Sequence, residues 1–219
     1  MGRLVFCDIE GTLVEGSIAK DFVRAGRQLK LFPARRLVLA QGYTLCARLA
    51  PRYGAALRWR ALLQLLAGQR RADVERAGRA GMAALRPRLK PATLARLTAH
   101  KAAGDTVVLL SGGLHDAARV IAEAVGADAG EGTQPELRND TYTGRLRGAM
   151  NAGPGKARRA AHLARQHGVP LAECVAYGDS GADIPLLTAV GHPVAVDPDP
   201  QLQTVARARG WEILRSPAR

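Results

Sequence analysis

Short apolar runs typical of β-strands alternate with helical segments along most of the chain, and this alternation constrains the fold more than any other feature. The strand-like runs span residues 3–7, 106–110 and 174–177, with weaker runs at 193–196 and 211–214. Helical segments that end at a glycine, the usual C-terminal stop, span residues 93–103, 115–125 and 156–167. Strands that alternate with helices of this length predict an α/β fold, with a mostly parallel sheet flanked by helices.

Two stretches depart from this alternation. Residues 131–149 contain the turn signals Asn139-Asp140 and Thr143-Gly144, and predict a short antiparallel excursion. Residues 18–90 contain no strand-like run; leucine, alanine and arginine recur there at helical spacing. This second stretch predicts about four helices inserted after the first strand, joined to the rest near residues 14–17 and 86–91.

Charge separates the helical insert from the rest of the chain. Residues 18–90 carry 17 lysines and arginines against three acids, whereas the whole chain has a net charge of +13. The excess of positive charge therefore lies within the insert. Charge alone gives only non-specific attraction to nucleic acid, and few aromatic residues accompany it, so a specific nucleic-acid partner is not predicted.

Length and cysteine usage limit the class of protein. The 219 residues suffice for one core plus a small second domain. No apolar stretch approaches the ~20 residues needed to cross a bilayer, and the first residues lack the pattern of a secretory or myristoylation signal. Cys7, Cys46 and Cys174 are odd in number and far apart, which argues against a disulfide framework. These features predict a cytoplasmic protein with no transmembrane segment and with reduced, mostly buried thiols.

The first strand-like run ends in two acids, Asp8 and Glu10, within VFCDIEGTL. Ligands of open parallel sheets bind at the carboxyl ends of the strands, so these acids are expected at a site. A hard cation such as Mg²⁺ takes oxygens from carboxylates and from phosphate, and would offset their repulsion. Asp8 could then attack phosphorus, and Glu10, on the same side of an extended chain, could transfer protons. Taken alone, the pair is explained equally well by a solvated turn.

Two further motifs offer contacts for a phosphate. Ser111 ends the second strand-like run in VVLLSGG, where its hydroxyl and the amides of Gly112 and Gly113 are expected at a helix N-terminus, a common anion site. Lys156 opens a helix after the glycine-rich loop of AGPGK, a position that suits a cation facing phosphate. Each motif alone is weak, because serine-glycine and glycine-proline turns are common.

A fourth motif supplies two more acids. In VAYGDSGADIPLL, Asp179 follows a strand-like run and Asp183 comes four residues later, a spacing that suits one metal ligand and one acid behind it. The four motifs stand in the chain as DIEGTL, LLSGG, GPGK and GDSGAD. In this order and context they resemble the motifs of the haloacid dehalogenase (HAD) superfamily, specifically its subfamily IB of phosphoserine-phosphatase-like hydrolases. The resemblance extends over essentially the whole chain.

The resemblance implies a Rossmann-like HAD core formed by residues 1–15 and 90–219, with an all-helical cap domain at residues 16–89. It implies an Mg²⁺-dependent phosphomonoester hydrolase that acts through an aspartyl-phosphate intermediate. The implied catalytic residues are Asp8 as nucleophile, Glu10 as general acid/base, and Lys156. The implied phosphate contacts are Gly11, Thr12, Ser111, Gly112 and Lys156. The implied Mg²⁺ ligands are Asp8, Asp179 and the backbone carbonyl of Glu10, with Asp183 holding Lys156 and a metal-bound water.

Three departures from the family pattern bear on chemistry and substrate. Glu10 stands where the second acid is usually Asp; its extra methylene still allows the same proton transfer from slightly farther back. Ser17 stands nine residues after Asp8, where phosphoserine phosphatases resemble one another in a glutamate, and Ala182 replaces a frequent asparagine. The last two differences argue against phosphoserine as the substrate.

The insert leaves two substrate classes open. A small phosphorylated metabolite is favoured, because no continuous amphipathic anchor is evident and the apolar positions are expected to pack the helices together. A lipid phosphate of the lysophosphatidate or phosphatidylglycerophosphate type is the alternative, with the basic insert resting on an anionic membrane. Transfer of phosphate to an alcohol instead of water also stays open. A cysteine phosphatase is excluded, because the residue six positions after Cys7 is Leu13 and not Arg.

Overall fold

The computed structural model describes residues 2–217. A six-stranded parallel sheet forms the centre of the fold. The strands are β1 (Leu4–Cys7), β2 (Thr106–Leu114), β3 (Ala129–Thr133), β4 (Pro135–Arg138), β5 (Thr141–Leu146), β6 (Val175–Gly178), β7 (His192–Val196) and β8 (Glu212–Leu214). The α-helices are α1 (Ile18–Gln28), α2 (Ala34–Leu49), α3 (Gly54–Leu66), α4 (Arg71–Leu85), α5 (Pro91–Ala102), α6 (His115–Val125), α7 (Pro154–Gln166), α8 (Ile184–Ala189) and α9 (Pro200–Arg209).

The sheet has the strand order β3-β2-β1-β6-β7-β8, and every pair of neighbouring strands is parallel. All four residues of β1 are buried, as expected for a central strand covered on both faces. Val5 and Cys7 pack on one face with residues of α5 and α6, while Leu4 and Phe6 pack on the other with residues of α7, α8 and α9. The predicted α/β architecture and its five strand-like runs are therefore confirmed.

The strand β3 corrects the sequence prediction for residues 131–149. We expected only an antiparallel excursion there, but residues 129–133 add a parallel strand to the edge of the main sheet; β4 and β5 then form the expected antiparallel hairpin. The sequence AGEGT lacks the β-branched and aromatic residues that signal a strand. Its glycines are needed for space, because a Cβ on Gly130 would lie 2.2 Å from the carbonyl oxygen of Ala118.

The second strand also extends beyond its predicted end. It continues to Leu114, and α6 begins at His115, so Ser111, Gly112 and Gly113 lie in the strand and not at a helix N-terminus. The expected anion site at a helix N-terminus is therefore wrong for this motif. The strand continues because β3 pairs with it, through an irregular register between Leu110 and Leu114.

The insert after β1 consists of α1–α4, as the sequence predicts, but α2 leaves apolar side chains exposed. Phe22, Phe32, Leu66 and Val74 belong to a core shared by these helices, and Tyr142 of β5 completes it. The apolar residues of α2, however, are not all used for packing; several face solvent. Among the described residues, no helix is long and apolar enough to cross a membrane.

The cysteines are all free, and their burial is mixed. Cys7 and Cys174 are buried, whereas Cys46 on α2 is exposed. Burial raises the pKa of the Cys7 and Cys174 thiols above the usual value, which favours their neutral form. These two thiols therefore act as small apolar groups of the core.

Candidate active site

Two neighbouring strands place the first pair of acids side by side. β1 and β6 are parallel neighbours with Cys7 opposite Tyr177, and Asp8 and Asp179 follow at the carboxyl ends of these strands. The backbone N–H of Asp8 donates to the carbonyl of Tyr177 at 3.0 Å, which continues the ladder into the site. The sheet therefore brings together two acids that are far apart in sequence, as the strand-end argument predicts.

Lys156 forms hydrogen bonds with two of the acids, Asp8 and Asp183. Its Nζ donates to Asp8 Oδ1 at 2.5 Å and to Asp183 Oδ1 at 2.6 Å. Lys156 is the third residue of α7, two positions later in its helix than predicted, and all three side chains are buried. A buried charge is costly unless it is paired, and here each carboxylate has the same cation as a partner.

Thr12, in the loop that follows β1, links the carboxylates of Asp8 and Asp179. Its Oγ1 donates to Asp179 Oδ1 at 2.9 Å and lies 3.3 Å from Asp8 Oδ2. Gly11 is needed beside it, because it has a φ of +88° and a Cβ there would lie 2.1 Å from Asp179 Oδ2. The Gly11 N–H donates to the carbonyl of Val14. The phosphate contacts predicted for Gly11 and Thr12 stay predictions, since in this structure these groups hold the loop and the acids.

Asp183 organises the loop after β6 as well as Lys156. Its Oδ2 accepts from the amide of Asp179 at 3.3 Å and from the hydroxyl of Ser180 at 3.1 Å. A second aspartate, Asp199, accepts from the Gly181 amide at 2.9 Å and also caps α9. The sequence analysis missed this role of Asp199, although Asp before proline at the start of a helix is a recognisable cap signal.

Burial controls the ionisation of this cluster. It raises the pKa of Asp8 to about 7, against the opposing charge of Lys156. It also raises the pKa of Asp179, against the hydrogen bond from Thr12. Burial lowers the pKa of Lys156, but Asp8 and Asp183 outweigh it and the net shift is upward, so this lysine keeps its proton. Lys156 therefore does not hold Asp8 fully ionised near neutral pH.

The three acids have the chemistry and spacing of a hard-cation site. Asp8, Asp179 and Asp183 each offer a carboxylate oxygen, and these oxygens lie within 4.8 Å of one another. Carboxylate oxygens are what a divalent cation such as Mg²⁺ prefers. A bound cation would also supply the positive charge that the raised pKa values of Asp8 and Asp179 indicate is missing. The donor set therefore fits a divalent metal ion.

Glu10 and the serine motif lie beside this cluster. The Glu10 carboxylate accepts from the backbone N–H of Ile18, the first residue of α1, at 2.6 Å, so its side chain is directed to the insert. Ser111 is buried, and its Oγ accepts from the Gly113 amide at 2.9 Å. The carbonyl of Gly112 accepts from Thr133, so this residue is held by β3. Glu10, Ser111 and Gly112 all line the same cleft.

That cleft has a volume of about 280 Å³ and lies between the insert and the carboxyl edge of the sheet. Its walls are mostly apolar, and the insert contributes Ile18, Phe22, Trp59 and Leu62. Arg58 is the one cation among the described lining residues. Pockets with apolar walls and a few polar groups are typical of small-molecule sites.

Asn151 is a further residue of the site that the sequence analysis missed. Its side chain is buried and donates to the carbonyl of Ser111 at 3.1 Å, and its backbone N–H donates to Thr133 at 2.9 Å. Asn151 therefore fixes the loop before Lys156 against the strand that carries Ser111. A single asparagine before a glycine-rich loop has no periodicity, so only an alignment could have revealed it.

The fold and the site define a Rossmann-like hydrolase domain with an acidic centre at the carboxyl edge of its sheet. The chain belongs to the haloacid dehalogenase-like hydrolases, because the sequence profile of that family matches residues 5–188. The family implied by the four motifs is thereby confirmed.

Individual relatives agree with this assignment. Over 114 residues the chain is 41% identical to a Mycobacterium tuberculosis protein named phosphoserine phosphatase SerB1, a match that covers 52% of this chain and 37% of that protein. The chain thus spans less than half the length of this relative. A crystal structure of a Bordetella pertussis protein of unknown function is similar over 98% of both chains, with 30% identity and a TM-score of 0.83. A phospho-aspartyl intermediate analogue of phosphoserine phosphatase shares the fold, with 21% identity, a TM-score of 0.65, and coverage of 100% of this chain and 94% of that one.

Proposed function

We propose that this protein hydrolyses a small phosphomonoester through an aspartyl-phosphate on Asp8, with a bound Mg²⁺ ion. The observation that carries this proposal is the convergence of Asp8, Asp179, Asp183 and Lys156 beside an apolar cleft. Three acids and one lysine have a formal net charge of −2, which a divalent metal ion would balance. The proposed metal ligands are Asp8, Asp179 and the backbone carbonyl of Glu10, and Asp183 holds Lys156.

Asp8 starts the reaction in this proposal. One of its carboxylate oxygens attacks phosphorus, and the bond from phosphorus to the leaving oxygen breaks. Glu10, in its acid form, gives a proton to that oxygen, and an alcohol leaves. Glu10 then takes a proton from water as the water oxygen attacks phosphorus. The bond to Asp8 breaks, which releases phosphate and restores both acids.

The other site residues hold charge during these steps. Lys156 offsets the negative charge of Asp8 and of the phosphate oxygens, since it already contacts Asp8. Ser111 accepts from the Gly113 amide, which leaves its own proton for a phosphate oxygen. When bound, the divalent cation supplies charge neutralisation between the carboxylates and the phosphate. Glu10 reaches the leaving oxygen by rotating away from the Ile18 amide.

The helical insert fits the role of a cap domain, with boundaries at residues 16 and 89. Its support is the cleft itself, which the insert and the sheet edge line together. Closure of such an insert would exclude water from Asp8 and would hold the organic part of the substrate. The contact from Glu10 to Ile18 would then connect the general acid/base to the position of the first insert helix.

The cleft favours a substrate with an apolar or aromatic group over phosphoserine. Phosphoserine carries an ammonium and a carboxylate, and the charged side chains among the described lining residues are Glu10 and Arg58. Ser17 lines the cleft where an acid would be needed to hold the ammonium, because Glu10 is occupied by proton transfer in this proposal. The name of the mycobacterial relative nevertheless makes phosphoserine a necessary test substrate.

A lipid phosphate is the second candidate, and the apolar walls of the cleft favour it. Ile18, Phe22, Trp59 and Leu62 could contact the first methylenes of an acyl chain. The volume of about 280 Å³ is small for a whole acyl chain, which favours the small metabolite as the first choice. A location in the cytoplasm stays a prediction from the sequence.

An aryl phosphate assay tests the chemistry whatever the natural substrate is. We expect hydrolysis with Mg²⁺, no hydrolysis with a chelator, and a loss on the order of 10³-fold or more in Asp8→Asn. The acid-quenched parent should carry a phosphate label that hydroxylamine removes, as expected for an acyl phosphate. Asp140→Asn, in the turn between β4 and β5, is the matched control. Undiminished turnover in Asp8→Asn, or turnover independent of added metal, would contradict the mechanism.

A further inference from the structure

The outer side of α2 presents large aliphatic side chains to solvent, while its inner side buries alanines. Val38, Leu45 and Leu49 are 67%, 56% and 78% exposed. Steps of seven and then four residues separate them, so they lie on one side of the helix. The buried residues of α2 are Ala40 and Ala47. Leu37 and Tyr43 also lie on the inner side, partly buried, so α2 has large apolar residues on both sides, whereas a helix usually presents them to the protein.

Two more exposed apolar side chains lie next to this side of the helix. Leu39 is 53% exposed, and Tyr53, after the end of α2, is 55% exposed. We refer to Val38, Leu39, Leu45, Leu49 and Tyr53 as the outer apolar face. Scattered exposed apolar residues need no explanation, but a contiguous group of this kind marks an interaction site.

Arginines border the outer apolar face. Arg35 lies three residues before Val38, and Arg48 three residues after Leu45, so each is a neighbour on the helix surface, and both are exposed. Arg52 is exposed and lies over the ring of Tyr53, 4.7 Å from its centre. The face therefore combines aliphatic side chains with positive charge.

Exposed negative charge is missing from α1, α2 and α3. Residues 18–66, which include α1, α2 and α3, contain ten lysines and arginines and one acid, Asp21. That acid is buried and forms an ion pair with Arg88. Within residues 18–66, no carboxylate is exposed.

This charge pattern determines which partner fits. A second copy of the chain, placed with the same face inward, would oppose arginines with arginines and offer no nearby carboxylate, which costs free energy. Nucleic acid would match the charge, but branched aliphatic side chains do not provide the stacking that bases need. An anionic lipid surface matches both features, because headgroup phosphates pair with arginine and the acyl boundary accepts aliphatic groups.

We propose that the outer apolar face docks on an anionic lipid bilayer. Val38, Leu45 and Leu49 enter the boundary between headgroups and acyl chains, and Arg35, Arg48 and Arg52 contact lipid phosphates. None of these residues lines the cleft beside Asp8. The docking is therefore independent of the proposed phosphatase activity and of the substrate that fills the cleft.

Sedimentation of the full chain with vesicles tests the docking. We expect the parent to bind vesicles of phosphatidylcholine plus phosphatidylglycerol, to bind vesicles of phosphatidylcholine alone far less, and to lose affinity as salt is raised. The triple variant Val38→Ser/Leu45→Ser/Leu49→Ser should lower the partition coefficient at least tenfold. Arg48→Gln should lower it about fivefold at low salt.

Matched controls separate docking from misfolding and from bulk charge. Gln41→Ser/Thr44→Ser changes two other exposed residues of α2 to serine and should bind as the parent does. Arg207→Gln removes one exposed cation from α9 and should cost less than twofold. Aryl phosphate hydrolysis and the unfolding midpoint of the triple variant should match those of the parent, because its substituted residues are exposed and lie outside the cleft.

Three results would overturn the proposal. The first is equal binding of parent and triple variant to anionic vesicles. The second is equal binding of the parent to neutral and anionic vesicles, which would remove the role of the arginines. The third is a parent that is dimeric by light scattering and becomes monomeric in the triple variant, which would assign the outer apolar face to a second copy of the chain.

Discussion

The acidic cluster at the sheet edge and the outer apolar face of α2 distribute charge and apolar surface in opposite ways. At the sheet edge, Asp8, Lys156 and Asp183 are buried, and each has a partner of opposite charge. On α2, Leu45 and Leu49 are exposed although buried alanines lie on the other side of the helix. Both regions depart from the usual rule that charges face water and leucines face the core.

The two departures differ in what compensates for them. Among the described residues, no buried side-chain nitrogen or oxygen lacks a hydrogen-bond partner, so the buried charges are satisfied within the protein. Leu45 and Leu49, in contrast, are left exposed by the part of the chain that the structure describes. The buried ionic cluster is therefore explained by the fold itself, whereas the fold of residues 2–217 leaves the outer apolar face exposed.

The largest expected effect concerns catalysis at the sheet edge. Glu10→Gln removes the proton donor and acceptor but keeps the side-chain size, and should lower kcat on the order of 10²–10⁴-fold. The measurement is steady-state hydrolysis of an aryl phosphate by the variant and the parent. Glu15→Gln is the control and should retain most of the activity. A rate close to that of the parent in Glu10→Gln would mean that another group moves the proton.

The second effect concerns stability when the buried acids lose their cation. Lys156→Met leaves Asp8 and Asp183 buried without their cation, and should lower the free energy of unfolding by about 3–5 kcal/mol at neutral pH. Loss of the lysine raises the pKa of Asp8 further, so the deficit should shrink as pH falls and Asp8 becomes neutral. Denaturant unfolding with a chelator present measures it. Lys101→Met, which removes an exposed partner of Asp128, should cost less than about 1 kcal/mol.

The third effect compares two leucines in the insert. Leu66 of α3 is fully buried, and Leu66→Ala should cost about 2–5 kcal/mol of unfolding free energy, because it leaves a cavity. Leu49 of α2 is exposed, and Leu49→Ala should cost less than about 0.5 kcal/mol. Thermal or urea unfolding of both variants gives the comparison. A large cost in Leu49→Ala would show that the chain itself covers the outer apolar face.

The smallest effect concerns an ion pair of intermediate burial. Partial burial raises the pKa of Asp197, but hydrogen bonds from Lys90 and Ser216 outweigh it and lower the pKa to about 2. Asp197 has a φ of 41°, which asparagine tolerates, so Asp197→Asn removes the charge with little backbone strain. The cost at neutral pH should be about 1 kcal/mol after allowance for solvent screening.

The sign of the pH dependence follows from the lowered pKa of Asp197. The carboxylate stabilises the native state above the unfolded pKa of 3.8, and this contribution is lost as pH falls toward about 2. Parent and Asp197→Asn should therefore differ at neutral pH and converge in acid. Urea unfolding at a series of pH values checks this. A difference that persists unchanged below pH 3.8 would assign the effect to the hydrogen bonds and not to the charge.

Much of the fold could be predicted because its signals are local. The β1 run of buried apolar residues and the glycine after α6 are read directly from neighbouring residues. The strand β3 could not be predicted in this way. Its glycines are needed because the backbone of α6, which is distant in sequence, lies too close for a Cβ. The predicted end of β2 was wrong for the same reason, since the last residues of this strand pair with β3.

The candidate site divides in a similar way. Asp8, Asp179 and Lys156 could be named from motif order; β1 and β6 place the two acids, and α7 places the lysine. Three contacts of the site could not be predicted, because each depends on the conformation of a loop. They are the contact of Glu10 with Ile18, that of the Thr12 hydroxyl with two acids, and that of Asn151 with Ser111. Loop paths are decided by hydrogen bonds between distant residues, which leave no periodic pattern.

The sequence by itself determined the alternation of the central strands with helices, the family, the acids of the candidate site and the excess of positive charge in residues 18–90. Only the tertiary structure decided which side chains those charges meet and which side of α2 remains outside the core. The physical reason is that α2 is apolar on both sides, with Leu37, Ala40 and Ala47 on one and Val38, Leu45 and Leu49 on the other. A helix with two apolar sides carries no sequence signal for which one is buried, and close packing against α3 selects the small residues.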